Sequence, residues 1–330
     1  MKYAFMLVEL MAYPLSVVCR VLNVTQSGFH AWRNREPSTR DIERDRLRAD
    51  IRTVFDAHRG RYGAPRLTRV LRARHGYTGS ENRIKALMRA MGLRAKAGRK
   101  FKVTTDSVHS LPIAPNLLSQ DFSCDSSADS TSHAKAPDQV WLSDITYLWT
   151  REGWLYVCAV LDLFTRRIVG WAIAGHMTRE LVLEALRMAH ATRKPAPGLI
   201  FHSDRGSQYA SHEVRQWLVG QTMRQSMSGT GNCYDNAPME SFWHSLKVEE
   251  THGQDFATRA EAKHSVFGYI EGWYNTTRMH SSLGYQSPIQ FERECNAKLI
   301  KAANDDLSTS DLSTASSDNS QSARLTKRAA

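Results

Sequence analysis

The chain has 330 residues, enough for a sizeable core and at least one accessory domain. Its formal charge of +11 is concentrated: residues 1–110 carry 23 Lys and Arg against 9 Asp and Glu, whereas the rest carry 21 against 24. Such a surplus on one segment is the footprint of a surface that neutralises phosphates. Five scattered cysteines without a C-x-x-C pair exclude a disulfide framework and a zinc knuckle, and point to a reducing cytoplasm. The apolar run after Lys2 is cut at Glu9, and no stretch reaches the roughly 20 apolar residues of a membrane span, so no membrane is expected as a partner.

In chain order, Leu15 to Arg33 reads as helix, turn and helix, with Thr25 as cap and Ser27, His30 and Arg33 available to a DNA groove. A charged helix over 40–58 offers Ile42, Leu47, Ile51, Val54 and Phe55 as its buried stripe. Pro65 opens a further helix, in which Leu67, Val70 and Leu71 share one face and arginines, among them Arg66 and Arg69, lie on the others. Ser80 caps the next, with Ile84, Leu87, Met88 and Met91 at helical spacing, and Gly92 ends it. Two helix-turn-helix outlines in a basic segment point to nucleic-acid binding, with Arg66 and Arg69 as candidate DNA contacts.

Residues 98–137 are rich in Ser, Asp, Ala and Pro and read as a linker, disordered at its centre. Three strands follow, Val140 to Leu148, Trp154 to Asp162 and Ile168 to Ala174, joined by hairpin-length loops. Then come a helix from Arg179, a short strand over Leu199 to His202, a helix from Gln208, an edge strand over Arg224 to Met227, and two helices, Pro238 to Glu250 with Asn236 as cap and Arg259 to Tyr274. That order is the order of a ribonuclease-H-like α/β fold, a mixed sheet with flanking helices. The expected domains are a basic all-α helix-turn-helix-like region over 1–97, the linker over 98–137, the α/β core over 138–295, and a disordered polar tail over 296–330.

Three acids stand out. Asp144 interrupts an apolar strand, Asp204 ends one, and Glu240 lies one turn into its helix. Each has an ordinary reading, as a salt bridge, a turn residue or a helix-dipole partner. If the three converge, their charges raise one another's pKa unless a cation is present, and oxygen-only donors favour Mg2+, with Mn2+ tolerated. Two such ions would serve in-line attack on a phosphodiester. His202, Cys233 and His244 fit no zinc spacing. Tyr274, Asn275, Arg278 and His280 read equally as a network pinning the C-terminal segment or as DNA contacts, and Trp141 and Trp154 as core aromatics.

Between Asp144 and Asp204 lie 59 residues, and between Asp204 and Glu240 lie 35. This spacing resembles the D-D-35-E signature of retroviral integrases and bacterial transposases. Trp141 to Tyr147, His202 to Tyr209, Gly231 to Ala237, Glu240 to Trp243 and Tyr274 to His280 resemble the second-frame protein of the third insertion-sequence family, over about residues 15–295. The resemblance implies an integrase-type core and a DNA transposase that cleaves and joins transposon ends, with Asp144, Asp204 and Glu240 as metal-binding catalytic acids. It makes Lys247 a DNA-holding residue, with Arg278 a candidate contact. The implied partners are terminal inverted repeats and target DNA, further copies of the chain, and an upstream-frame protein fused by frameshifting; the implied location is the bacterial cytoplasm, on the nucleoid when DNA is bound. The alternatives are a non-catalytic DNA-binding regulator or decayed transposase, and a structure-specific nuclease of the same fold. Two features depart from the family's pattern, the length of Ser123 to Lys135 and the tail beyond Ala302.

Overall fold

The computed structural model describes residues 2–10, 12–96, 111–124, 127, 131–229, 233–298 and 300–301. The chain divides into two compact units, residues 1–95 and 96–330. In the first, α1 (Lys2–Glu9), α2 (Leu15–Val21) and α3 (Gln26–Arg33) bury Met6, Val18, Cys19 and Phe29 together. Thr25 caps α3 by accepting from the Gly28 amide at 3.0 Å, and Ser27, His30 and Arg33 are exposed. The helix α1 was not foreseen.

Next come α4 (Thr39–Ala57), α5 (Ala64–His75) and α6 (Glu81–Ala90), which bury Leu47, Ile51, Leu67, Leu71 and Ile84. Ile42, expected in the α4 stripe, is exposed, because the first turn of α4 buries none of its side chains. Gly76 ends α5 with a left-handed φ of 64°, and Ser80 caps α6 by accepting from the Arg83 amide. Arg69, Arg72 and Arg74 are exposed, while Arg66 is half-buried with its guanidinium 5.6 Å from the Tyr62 ring centroid.

The second unit is built on a five-stranded sheet of order β3-β2-β1-β4-β5: β1 (Val140–Thr150), β2 (Gly153–Asp162), β3 (Ile168–Ala174), β4 (Ile200–Ser203) and β5 (Arg224–Met227). The first three strands are antiparallel hairpins, and β4 and β5 run parallel to β1. One face is covered by α7 (Arg179–Arg193), α8 (Ser207–Ala210) and α9 (His212–Gly220), which bury Trp141, Val160, Leu186, Phe201 and Val214 between them. The single helix expected from Gln208 is split at Ser211, whose hydroxyl caps α9.

At Gly170 on β3 the sheet lies hard against α7. A Cβ there would lie 2.3 Å from the Ala185 carbonyl oxygen and 2.7 Å from the Ala189 Cβ, both on α7. Gly170→Ala should therefore cost roughly 1–3 kcal/mol by forcing helix and sheet apart, measured by denaturant unfolding; an unchanged midpoint would mean that the helix yields freely.

Across the other face run α10 (Ala237–Leu246) and α11 (Arg259–Tyr269). The two long helices expected here do not continue as α-helix: α10 passes into a π-turn over Lys247–Thr251, and α11 into another over Ile270–Tyr274. The turns carry Glu249 and Trp273 into a shared interior. A last helix, α12 (residues 288–298), has no counterpart among the expected elements; its Glu292 is buried against Arg167 and Arg193.

Parts of the segment expected as linker pack on this unit. Leu118 is buried, the Leu117 amide donates to Ser226 Oγ at 2.9 Å, Cys124 pairs with Ala134 in an isolated parallel backbone bridge, and the Cys124 thiol donates to the Leu163 carbonyl at 3.3 Å. Residues 98–110, 125–126 and 128–130 of that segment, and 299 and 302–330 of the expected tail, lie outside the described residues. Among the described residues, no helix is long and apolar enough to cross a membrane.

Candidate active site

Strand register brings the two aspartates together. β1 and β4 run parallel with Ser143 opposite Ser203, so the next residue on each, Asp144 and Asp204, stands level at the end of β4. Asp144 Oδ1 accepts from its neighbour Ile145's amide at 2.8 Å, and Oδ2 accepts from the Trp243 indole on α10 at 3.1 Å. Asp204 Oδ1 accepts from the Gly206 amide at 2.9 Å. A Cβ on Gly206 would lie 3.1 Å from that same oxygen, so a small residue here lets the backbone hold the carboxylate. Burial, then the charge of Asp204, pushes the Asp144 carboxyl up to about 8, with Glu240 adding a smaller push.

Glu240 is exposed on α10, its carboxyl raised by partial desolvation. Among the described residues, no three His, Cys, Asp or Glu side chains stand close enough to hold one metal ion. The structure thus pairs the aspartates and leaves Glu240 near them without closing the set. Lys247 is half-buried one turn beyond His244; burial lowers its ammonium pKa while the charge of Asp144 raises it. Its Nζ lies 5.5 Å from the Tyr147 ring centroid.

Buried polar residues fix the entrance to α10. His202 engages Ser226 Oγ through Nδ1 and the Asp235 carbonyl through Nε2, both at 2.9 Å, and burial pushes the imidazole down to about 4. It is a neutral structural residue. The Asp235 carboxylate accepts from the Gly229 amide at 2.5 Å and from the Asn116 side-chain amide at 3.0 Å, tying both to the turn that leads into α10. Asn236, expected to cap α10, makes no side-chain cap; its amide donates to the Ser143 carbonyl at 3.1 Å, one residue before Asp144.

Arg278, expected among the DNA contacts, is instead buried: it pairs with Glu249 at 2.9 Å and donates to Ser245. Glu249 also accepts from Tyr269 and the Trp273 indole, each at 3.0 Å. The pinning reading holds for Arg278, because a guanidinium enclosed by its counter-ion has no route to a phosphate. Asp235, Asn116 and Glu249 were missed in the sequence; Glu249, set among Lys247, Glu250 and Thr251, looks like an ordinary solvated helix acid and carries no signal of its own.

Residues 134–233 and 240–295 match two family models, each described as an integrase core domain, and residues 43–101 match an HTH-like domain. Transposase InsF for insertion sequence IS3A of Escherichia coli K12 is 44% identical over 296 residues, covering 89% of this chain and 99% of that protein. The chain belongs to the IS3-family transposases. A second relative of the transposase, the insertion element IS600 uncharacterized 31 kDa protein of Shigella sonnei, is 43% identical over 84% of this chain and 98% of its own. Among solved structures, the chain is similar to a simian T-cell lymphotropic virus intasome in complex with PP2A regulatory subunit B56 gamma, at 12% identity and a TM-score of 0.39 over 74% of each chain. The HTLV-2 integrase catalytic core in complex with magnesium matches at 12% identity and a TM-score of 0.34, covering 48% of this chain and 97% of that one. The transposase therefore joins a DNA-binding HTH-like domain to the integrase core of a polynucleotidyl transferase and serves DNA transposition.

Proposed function

We propose that Asp144, Asp204 and Glu240 are the catalytic acids of cleavage and strand transfer at the ends of an insertion sequence, and that they hold Mg2+, two ions per site with Mn2+ tolerated. The observation that carries this reading is the parallel register of Ser143 and Ser203, which sets two carboxylates side by side. A carboxyl raised as far as that of Asp144 marks a site that would release its proton to a cation. When bound, the ions supply Lewis-acid stabilisation of the attacking and leaving oxygens.

The protein's own part is positioning. The Trp243 indole and the Ile145 amide aim Asp144, and the Gly206 amide aims Asp204. Glu240, carried on α10, completes the set as DNA and metal arrive. Lys247 draws the phosphate backbone toward the pair, and Arg66 and Arg69 hold duplex in the basic unit. The terminal repeats and target DNA are engaged together by several copies of the chain, with or without fusion to an upstream-frame protein.

With labelled terminal repeats and Mg2+, the wild type should join ends and Glu240→Gln should lose roughly a hundredfold or more. Equal joining by the two would remove Glu240 from the site. For the basic unit, Arg69→Ala should weaken duplex binding uniformly across sequences and lower the slope of log K against log salt by about 1, read by fluorescence anisotropy. An unaltered slope would show that Arg69 meets no phosphate.

A further inference from the structure

An aromatic surface lies on the strand that carries Asp144. Tyr147, Trp149 and Trp154 are 37%, 59% and 45% exposed. The exposure of Trp154 corrects its expected place in the core, for it lies near the hairpin tip. The Trp149 and Trp154 rings are 4.9 Å apart and those of Tyr147 and Trp154 5.0 Å apart, both edge to face. Cross-strand pairing of Trp149 with Trp154 steadies the hairpin, yet that does not require so much aromatic surface to meet water.

Two features say what covers it. Among the described residues, β1 has no strand pairing on its β4 side from Asp144 onward, because β4 ends at Ser203, so the aromatic face and the acid face meet around that edge. Lys247 stands at that edge, feeling the charge of Asp144 and lying beside the Tyr147 ring. By strand rise, Tyr147 is ~10 Å and Trp149 ~17 Å from Asp144, within reach of the first few nucleotides beside a phosphate held there.

We propose that Tyr147, Trp149 and Trp154 form a stacking platform for unpaired bases of the DNA strand next to the reacting phosphodiester, with Lys247 leading the backbone round the edge of β1. Aromatic faces beside a cation suit single-stranded DNA, since every base offers a π-face whatever its sequence. The proposal rests on the active-site reading above, and binding separates the two.

The test uses the full chain and a fluorescent single-stranded oligo-dT, with excess unlabelled duplex to occupy the basic unit. Trp149→Val/Trp154→Val, which keeps β-propensity, should lose about tenfold or more in affinity for oligo-dT per stacked base removed, with duplex affinity held within twofold. Trp149→Phe/Trp154→Phe should retain most of the binding, which guards against a merely misfolded hairpin. Oligo-dT binding is read without divalent ions and strand transfer with them, so loss of the platform and loss of the acids read out separately. Unchanged oligo-dT affinity in the valine variant overturns the proposal. So does a fall in self-association by sedimentation without a fall in DNA binding, which would assign the surface to a second copy of the chain.

Discussion

Asp204→Asn should abolish strand transfer and at the same time raise the melting temperature of the metal-free transposase. The two aspartates stand level on adjacent parallel strands, and after burial the charge of Asp204 is the main reason the Asp144 carboxyl titrates at about 8. Its folded-state pKa lies above the unfolded value of 3.8, so the unfolded chain releases this proton first and the stability tied to Asp144 falls as pH rises from ~4 to ~8. Removing the neighbouring charge relieves part of that loss. The gain should be absent below pH ~4 and complete above pH ~8, amounting to about 1.4 kcal/mol for each unit of pKa relieved, or a rise of a few degrees. Asparagine keeps an oxygen to accept from the Gly206 amide, so the local turn survives. Differential scanning fluorimetry without divalent ions at pH 5 and pH 9, beside a strand-transfer assay, gives both readouts. Equal melting at pH 9 would show that the carboxylates do not repel each other.

Arg278→Met should have the largest cost to stability, roughly 3–5 kcal/mol, because it strands the Glu249 carboxylate in the interior. The loss should also reach the active site, since Glu249 lies in the π-turn that begins at Lys247. Adding Glu249→Gln should recover at least half of it: the second charge is gone, while an amide oxygen remains to accept from Tyr269 and the Trp273 indole. Urea unfolding of the two variants decides the matter; a double variant no more stable than Arg278→Met would show that the donors around Glu249, and not its charge, set the cost.

Much of the fold was legible because its signals are local. The apolar run over Val140 to Leu148, the capping residues Thr25 and Ser80 and the hairpin-length loops each act within a few residues. Asp144 was legible for the opposite reason, as a charge its own strand could not use. What stayed hidden depends on partners far away in the chain. Asp235 finds Asn116, Glu249 finds Arg278 across 29 residues, and Arg193 meets Glu292, and no periodicity announces such pairs. The π-turns were hidden with them, because an α-helix is the default until an inward-turned acid such as Glu249 bends it. Arg278 and Trp154 show the same limit from two sides: residue type alone left the arginine open to DNA and sent the tryptophan inside, and tertiary packing reversed both.

The clasp between Gly229 and Asp235 alters the meaning of the 35-residue interval between Asp204 and Glu240. That interval is no ruler. β4 and β5 fix one end, the buckle of Asp235 on Gly229 and Asn116 fixes the other, and α10 starts immediately after it. Glu240 takes its place from that buckle rather than from the count, and loosening Asp235 should set the acid adrift with the count unchanged.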